Sequence, residues 1–305
     1  MSIDFKGQVA IVTGAGNGLG RSHALALAAR GAKVLVNDLG GSVDGSGGSS
    51  AASLEVVKSI EANGGEAIAH GANVAVYAEV EDMVKTAMDK WGRVDVLINN
   101  AGILRDKSFA KMTIDDFKLV MNVHVMGSVY CSKAVWEIMR QQSYGRIIMT
   151  TSSSGLYGNF GQANYAAAKM AVVGLMNTLA LEGNKYDIRV NSLAPSAATR
   201  MTEELFPPEA LDALTAEAVT AAALALCHRE SPNRYILCAG AGGYASTRLF
   251  ETDGIYLGPD DQSPENVMAN MAGINDLNGQ QAFASGFQQP GKFLGKAVAF
   301  IEAQK

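Results

Sequence analysis

Cysteine is scarce in this sequence. Cys131, Cys227 and Cys238 stand singly and far apart. They give no disulfide framework and no CxxC metal pair, which fits a reducing compartment. The four histidines, His23, His70, His124 and His228, are equally dispersed. They read as structural or exposed residues, not as a metal-ligand set. Positive charge is not in excess: 25 Lys and Arg stand against 30 Asp and Glu, for a net charge of −5. That balance leaves no electrostatic footprint for nucleic acid. No apolar run reaches the ~20 residues of a membrane span. The start, MSIDFKGQ, lacks the basic-then-apolar order of a signal peptide, and the last three residues, Ala303-Gln304-Lys305, are not a peroxisomal address. The expectation is a cytoplasmic chain that acts on a small molecule, without nucleic acid, membrane or metal. What the sequence does have is apolar side chain, 48% of 305 residues. That is enough to bury one large core or two small ones.

The first element is a short β-rich run, Val9 to Thr13. It leads into Gly14-Ala15-Gly16-Asn17-Gly18-Leu19-Gly20 and then a helix, Arg21 to Arg30. A second strand, Lys33 to Asn37, ends in Asp38. Strand, Gly-rich turn, helix, strand and acid is the order of a dinucleotide-binding βαβ unit. The glycines let backbone N–H groups approach a pyrophosphate, and the helix N-terminus favours its charge. Asp38 sits where a carboxylate accepts from adenosine ribose hydroxyls. The spacing is Thr-Gly-x-x-x-Gly-x-Gly, at Thr13, Gly14, Gly18 and Gly20, not GxGxxG. Residues 39–50, LGGSVDGSGGSS, read as a surface loop. Asn73-Val74 falls at a strand end, where a polar side chain meets adenine or simply makes a turn. Strand four, Val94 to Ile98, ends in Asn99-Asn100-Ala101-Gly102. Small and amide residues there permit close backbone approach to a ligand, although an NNAG string alone also fits an ordinary turn.

The chemistry concentrates between Gly145 and Met170, GRIIMTTSSSGLYGNFGQANYAAAKM. A buried-strand pattern passes through Ser152, Ser153 and Ser154 into a Gly-rich bend and an alanine-rich helix. Tyr165 and Lys169 are four apart on that helix and share one face. A close ammonium lowers a phenol's pKa by favouring the phenolate, and a serine hydroxyl at the preceding strand end reaches the same space. The bland alternative for an isolated YxxxK is a solvated helix face. Upstream, Thr113 caps a long helix, Ile114 to Met139, with Asn122 inside it among valines and Met121. Asn122 is expected to be buried, holding a water near Lys169 or satisfying backbone. After a sixth strand, Ile188 to Leu193, comes Ala194-Pro195-Ser196. The apolar segment Met201 to Leu211 follows, either a substrate cover or a packed loop. A helix over about Glu217–Cys227 and a last strand over about Tyr235–Ala239 complete the pattern. Residues 246–305 extend beyond it, with helices expected after Ser263, near Asn278 and from Gly291 to Gln304.

TGAGNGLG, NNAG, Asn122, Ser152 and YAAAK together resemble the short-chain dehydrogenase/reductase family over about residues 5–243. Ser152 lies thirteen residues before Tyr165, the family's usual gap; Ser153 and Ser154 do not fit it. IVTGAGNGLGRSHAL, VNDLGG and GRIIMTTSSSGLYGNFGQANYAAAK are similar in particular to (3R)-3-hydroxyacyl-CoA dehydrogenase units of peroxisomal multifunctional β-oxidation enzymes. The resemblance implies a doubly wound Rossmann-type α/β fold with a parallel, seven-stranded sheet over residues 1–245. It leaves 246–305 as a C-terminal helical extension that covers a subunit interface or the substrate entrance. It implies a catalytic set of Asn122, Ser152, Tyr165 and Lys169. It places the cofactor NAD against Gly14, Asn17, Gly18, Leu19, Gly20, Asp38, Asn73, Val74, Asn100, Ala101, Gly102, Tyr165, Lys169, Pro195 and Thr199. It implies oxidation of (3R)-3-hydroxyacyl-CoA by a free-standing homodimer or homotetramer. The alternatives are a 17β-hydroxysteroid or other bulky-alcohol dehydrogenase, steroid side-chain CoA thioesters included, and a catalytically silent NAD-binding regulator. Two positions depart from common family usage: Ser196 where Gly is frequent, and Asn73 where Asp is. Arg105, Lys107 and Lys111 are the nearest cations for a CoA phosphate, and solvated surface charge explains them as well.

Overall fold

A computed structural model describes residues 3–47, 51–197 and 211–305. They fall into two compact units, Met1–Ser246 and Thr247–Lys305.

The first unit is built on one sheet. Strands β1 (Val9–Thr13), β2 (Lys33–Asn37), β3 (Glu66–His70), β4 (Val96–Asn99), β5 (Gly145–Thr150), β6 (Ile188–Ser196) and β7 (Ile236–Gly240) lie in the order 3-2-1-4-5-6-7. Every described pairing among these seven is parallel. An eighth strand, β8 (Gly243–Thr247), extends the edge beyond β7, so the sheet has eight strands where seven were expected. Only Ala241 and Gly242 separate β7 from β8, both at positive φ, 49° and 76°. That is the backbone of a two-residue hairpin turn. The strand Gly-Tyr-Ala-Ser-Thr is almost wholly exposed, so no buried alternation marks it in the sequence.

Parallel strands buried on both faces carry continuous apolar runs, and β1 is buried at all five positions. Its residues alternate between the two cores. Ala10 and Val12 pack with Leu27 of helix α1 (Gly18–Ala29), Ile60 of α2 (Ala51–Ala62) and Val219 of a later helix, Ala216–Cys227. Ile11 packs on the other face with Met83 of α3 (Tyr77–Trp91), and with Val135 and Val173 from helices described below. Between β1 and β4 the chain order reverses. That reversal opens the crevice in which doubly wound folds hold ligands, beyond the carboxyl ends of the strands.

One expected element differs. The long helix is α4 (Ile114–Met121), then a π turn (Asn122–Met126), then α5 (Gly127–Gln142). Thr113 caps its start, Oγ1 accepting from the Asp116 N–H at 3.0 Å. Within the π turn the Gly127 N–H returns to the Asn122 carbonyl, five residues back instead of four.

In the second unit Ser263 caps a short helix, Pro264–Ala269, by accepting from the Asn266 N–H at 3.1 Å. A single turn, Met271–Ile274, follows, and the last helix runs Gln288–Ala303. The helix expected near Asn278 is a turn, with Gly279 at φ +74°. Lys292 and Lys296 of the last helix pair with Glu251 and Asp253.

Candidate active site

The nucleotide end forms first from backbone. Gly14 and Gly18 hold φ of +61° and +52°, which side-chain-bearing residues rarely adopt. A Cβ on Gly14 would stand 2.8 Å from the Ala101 Cα, so the loop lies directly on the end of β4. Asn100 fastens that contact: its amide donates to the carbonyls of Thr13 and Gly14 at 3.0 and 3.1 Å. Thr13 Oγ1 accepts in return from the Asn100 and Ala101 N–H groups. The NNAG segment therefore ties β4 to the loop after β1.

Asp38, at the end of β2, is held on both oxygens. Oδ2 accepts from the Gly16 N–H at 2.6 Å and Oδ1 from the Gly40 N–H at 2.7 Å. A Cβ on Gly16 would sit 2.7 Å from Oδ2, so Gly16 is the residue that lets the carboxylate approach. The motif spacing did not single it out. Asn73 turns its amide oxygen onto the Ala75 N–H at 3.0 Å and also faces the cavity, so its turn role and its cavity position coexist.

These groups border one cavity of about 710 Å³. Of the expected residues, Gly14, Asn17, Gly18, Leu19, Asp38, Asn73, Val74, Asn100, Ala101, Gly102, Ser152, Tyr165, Lys169 and Pro195 line it. Gly20 does not. Its role is packing, since a Cβ there would lie 2.2 Å from the Gly14 carbonyl oxygen. Thr199 and the segment from Met201 to residue 210 lie outside the described residues. Sequence reasoning missed Gly41, Ser42, Val43 and Gly45, which wall the cavity from the loop after β2, and His124. For the loop, the one available signal was its position immediately after the ribose-binding acid.

The catalytic end sits at the carboxyl end of β5. Ser152 caps the short helix α6 (Ser153–Tyr157), its Oγ accepting from the Ser154 N–H at 3.2 Å. It also lies close enough to the Tyr165 phenol to lower that group's pKa. Ser154 faces elsewhere, donating to Gln162 Oε1 at 2.7 Å, and Gln162 donates in turn to Asp106. Lys169 lies one turn beyond Tyr165 on α7 (Ala163–Gly183). It is buried, and Nζ donates to the Thr150 carbonyl at 2.7 Å.

The electrostatics differ from the sequence expectation. Burial pushes the Tyr165 phenol up to about 12, over the lowering by Ser152, and the Asp106 charge adds to the rise. Burial lowers Lys169 from 10.5 to about 7. In a shared dry site each charged form loses its hydration, and that cost exceeds the pairing expected from their spacing. The lysine ammonium stands 5.5 Å from the phenol ring centroid.

Asn122 also departs from expectation. It is exposed and does not line the cavity. His124, two residues on, is buried to 2% and does line it. At the ordinary helical advance Asn122 stands about 200° from buried Val120, on the opposite face, whereas His124 stands only about 40° from it. The cations near the mouth are already engaged. Arg105 and Lys107 both reach Asp116, at 3.7 and 3.2 Å. Among the described residues no His, Cys, Asp and Glu group forms a metal site, and no helix is long and apolar enough to cross a membrane.

Residues 8–210 match the family model described as short chain dehydrogenase. This chain belongs to that family. As a short-chain dehydrogenase it is an oxidoreductase acting on CH–OH groups with a nicotinamide cofactor. The Gly14–Gly18 loop, the N-terminus of α1 and Asp38 fit the phosphates and ribose of such a cofactor. Among similar proteins, peroxisomal multifunctional enzyme A of Dictyostelium discoideum is 49% identical over 282 residues, covering 91% of this chain and 62% of that protein. The solved full-length peroxisomal multifunctional enzyme type 2 of Drosophila melanogaster superposes with a TM-score of 0.80 at 35% identity, covering 96% of this chain and 49% of that one. A 7α-hydroxysteroid dehydrogenase solved with NADH and 7-oxo glycochenodeoxycholic acid gives 0.71 at 29% identity, covering 79% and 96%. The chain thus spans only part of each multifunctional relative.

Proposed function

We propose that this short-chain dehydrogenase oxidises (3R)-3-hydroxyacyl-CoA thioesters to 3-oxoacyl-CoA with NAD, reversibly and as a homo-oligomer. The observation that carries the redox reading is the Ser152–Tyr165–Lys169 assembly at one end of the cavity, with Asp38 at the other. The substrate class rests on the similarity to the multifunctional enzymes over nine-tenths of the chain.

A nicotinamide held against these lining residues would supply the hydride acceptor for the carbinol carbon. Tyr165 takes the hydroxyl proton as that carbon becomes a carbonyl. Ser152, beside the phenol, places its hydroxyl where the substrate oxygen lies and stabilises charge there. In reduction the same phenol, neutral at pH 7, gives its proton back to the developing alkoxide. Lys169 anchors this end through Thr150 and places a positive charge beneath the phenol when protonated. The preference for NAD follows from Asp38, which accepts ribose hydroxyls and repels a 2′-phosphate.

A mirror-image alcohol meets the oxygen, proton and hydride positions only by exchanging its two arms, one of them the thioester with CoA. A shaped site rejects that exchange. The test is NADH formation with matched 3R and 3S hydroxyacyl-CoA pairs, beside estradiol and a bile-acid 7α-alcohol. Turnover of the 3R series with poor 3S activity is expected. Robust steroid turnover without acyl-CoA activity overturns the substrate reading. That second reading has its own support in the steroid dehydrogenase that shares the fold.

A further inference from the structure

His124, within the π turn, is a buried polar residue at the catalytic end of the cavity. Its imidazole is wedged between two parts of the site. On one side it sits on the chain after β4: a Cβ on Gly102 would lie 2.4 Å from the His124 Cε1, so only glycine leaves room for the ring. There Nε2 lies 2.8 Å from the Ile103 carbonyl oxygen and 3.1 Å from the Ile103 nitrogen. One proton on Nε2, given to the nearer carbonyl, satisfies the shorter contact. On the other side the ring meets Tyr165 edge-on, with centroids 5.3 Å apart and planes at 90°. That is a favoured geometry for two rings.

The imidazole stays neutral in this place. Burial and the Lys169 charge hold its pKa near 3. Among the described residues Nδ1 has no hydrogen-bonding partner, so a second ring proton would have no acceptor. A neutral ring fixed at one nitrogen by a backbone carbonyl cannot rotate without breaking that bond.

We propose that His124 is a positioning residue for proton transfer: anchored on the Ile103 carbonyl, it braces the Tyr165 ring so that the phenol hydroxyl stays beside Ser152. This rests on the reading of Tyr165 as the proton-transfer group. Reacting groups displaced by about 1 Å lose on the order of 10²-fold in rate, so a slack phenol registers in turnover before it registers in cofactor binding.

The experiment uses the full chain with His124→Ala, which removes anchor and brace, and His124→Asn, whose amide can still donate to the Ile103 carbonyl. Steady-state rates are taken with NAD and (3R)-3-hydroxybutyryl-CoA, and NADH affinity by fluorescence titration. For His124→Ala we expect kcat to fall about 10- to 100-fold with NADH affinity within roughly three-fold of wild type. For His124→Asn we expect kcat between those of His124→Ala and wild type. A His124→Ala kcat within three-fold of wild type overturns the proposal. So does a loss of NADH affinity as large as the loss of kcat, or a His124→Asn variant no better than alanine. A crystal structure of His124→Asn needs no substrate: the Tyr165 hydroxyl still beside Ser152 with its ring ordered supports the anchor, and a displaced ring overturns it. Tyr165→Phe is run beside these. If it retains near-full activity, the assignment of Tyr165 fails. If it is inactive while His124→Ala is normal, only the role of His124 fails.

Discussion

Lys169 is a lysine buried at the expense of stability, and replacing it with methionine measures that cost. Its side chain is 4% exposed, and burial lowers its pKa from 10.5 to about 7. The unfolded chain therefore binds more protons than the native one between these values, and stability rises with pH across that interval. The sign follows from a depressed native pKa: full stability is present above 10.5 and is lost as pH falls towards 7. Each tenfold weakening of proton binding is worth ~1.36 kcal/mol, so the cost at neutral pH is about 4 kcal/mol. At pH 9 it has fallen to about 2 kcal/mol. Methionine has similar length and no charge, but it leaves the Thr150 carbonyl without its donor, which costs about 1–3 kcal/mol. Lys169→Met is thus expected to be inactive yet more stable at pH 7, by roughly 1–3 kcal/mol. Its advantage over wild type should shrink by about 2 kcal/mol between pH 7 and pH 9. Urea unfolding of both proteins at both pH values gives the double difference, in which all other titrating groups cancel. A change below about 0.5 kcal/mol would refute the assignment of a desolvated, partly neutral lysine.

Two further outcomes are expected. Asp38→Ala should narrow the preference for NAD over NADP, mainly by weakening NAD. A like charge at ~4 Å costs about 4 kcal/mol at an effective ε of 20, and even a quarter of that is roughly a five-fold preference. Equal kcat/KM for the two cofactors in the wild type would sink this reading. Because Tyr165 is pushed up to about 12, oxidation, which needs the phenol to accept a proton, should quicken from pH 7 towards pH 9.5, whereas reduction should not. A kcat/KM for oxidation that falls over that range would contradict the raised phenol.

The nucleotide half was legible because its constraints are local. A strand, glycines at fixed offsets and an acid after the next strand determine one another within thirty residues, and Asp38 meets Gly16 in the fold. Ser152, Tyr165 and Lys169 were legible for the same reason, since strand end and helix face bring them together. What escaped depends on tertiary context. The phenol's pKa follows burial contributed by many segments. The strand β8 lies exposed at the sheet edge, so nothing apolar alternates in it. Asn122 lies about 200° round the helix from buried Val120, so even a regular helix turns it away from that face. The sequence offers no local cue for the single wide turn over Asn122–Met126.

That wide turn has an evolutionary consequence. A π turn is one residue more than an α-helix requires. Deleting one residue within Asn122–Met126 would restore a regular ladder, leaving both helix ends, the sheet and the cofactor cradle where they are. The two halves would keep their present phase, because the wide turn already absorbs the extra residue, and only the side chains offered within that turn would change. Relatives differing by a single residue here can therefore vary the neighbour of their proton-transfer group while the rest of the scaffold stays under unchanged selection. Between two relatives that differ by that residue, a sequence comparison that places no gap in this helix pairs residues that do not occupy the same place.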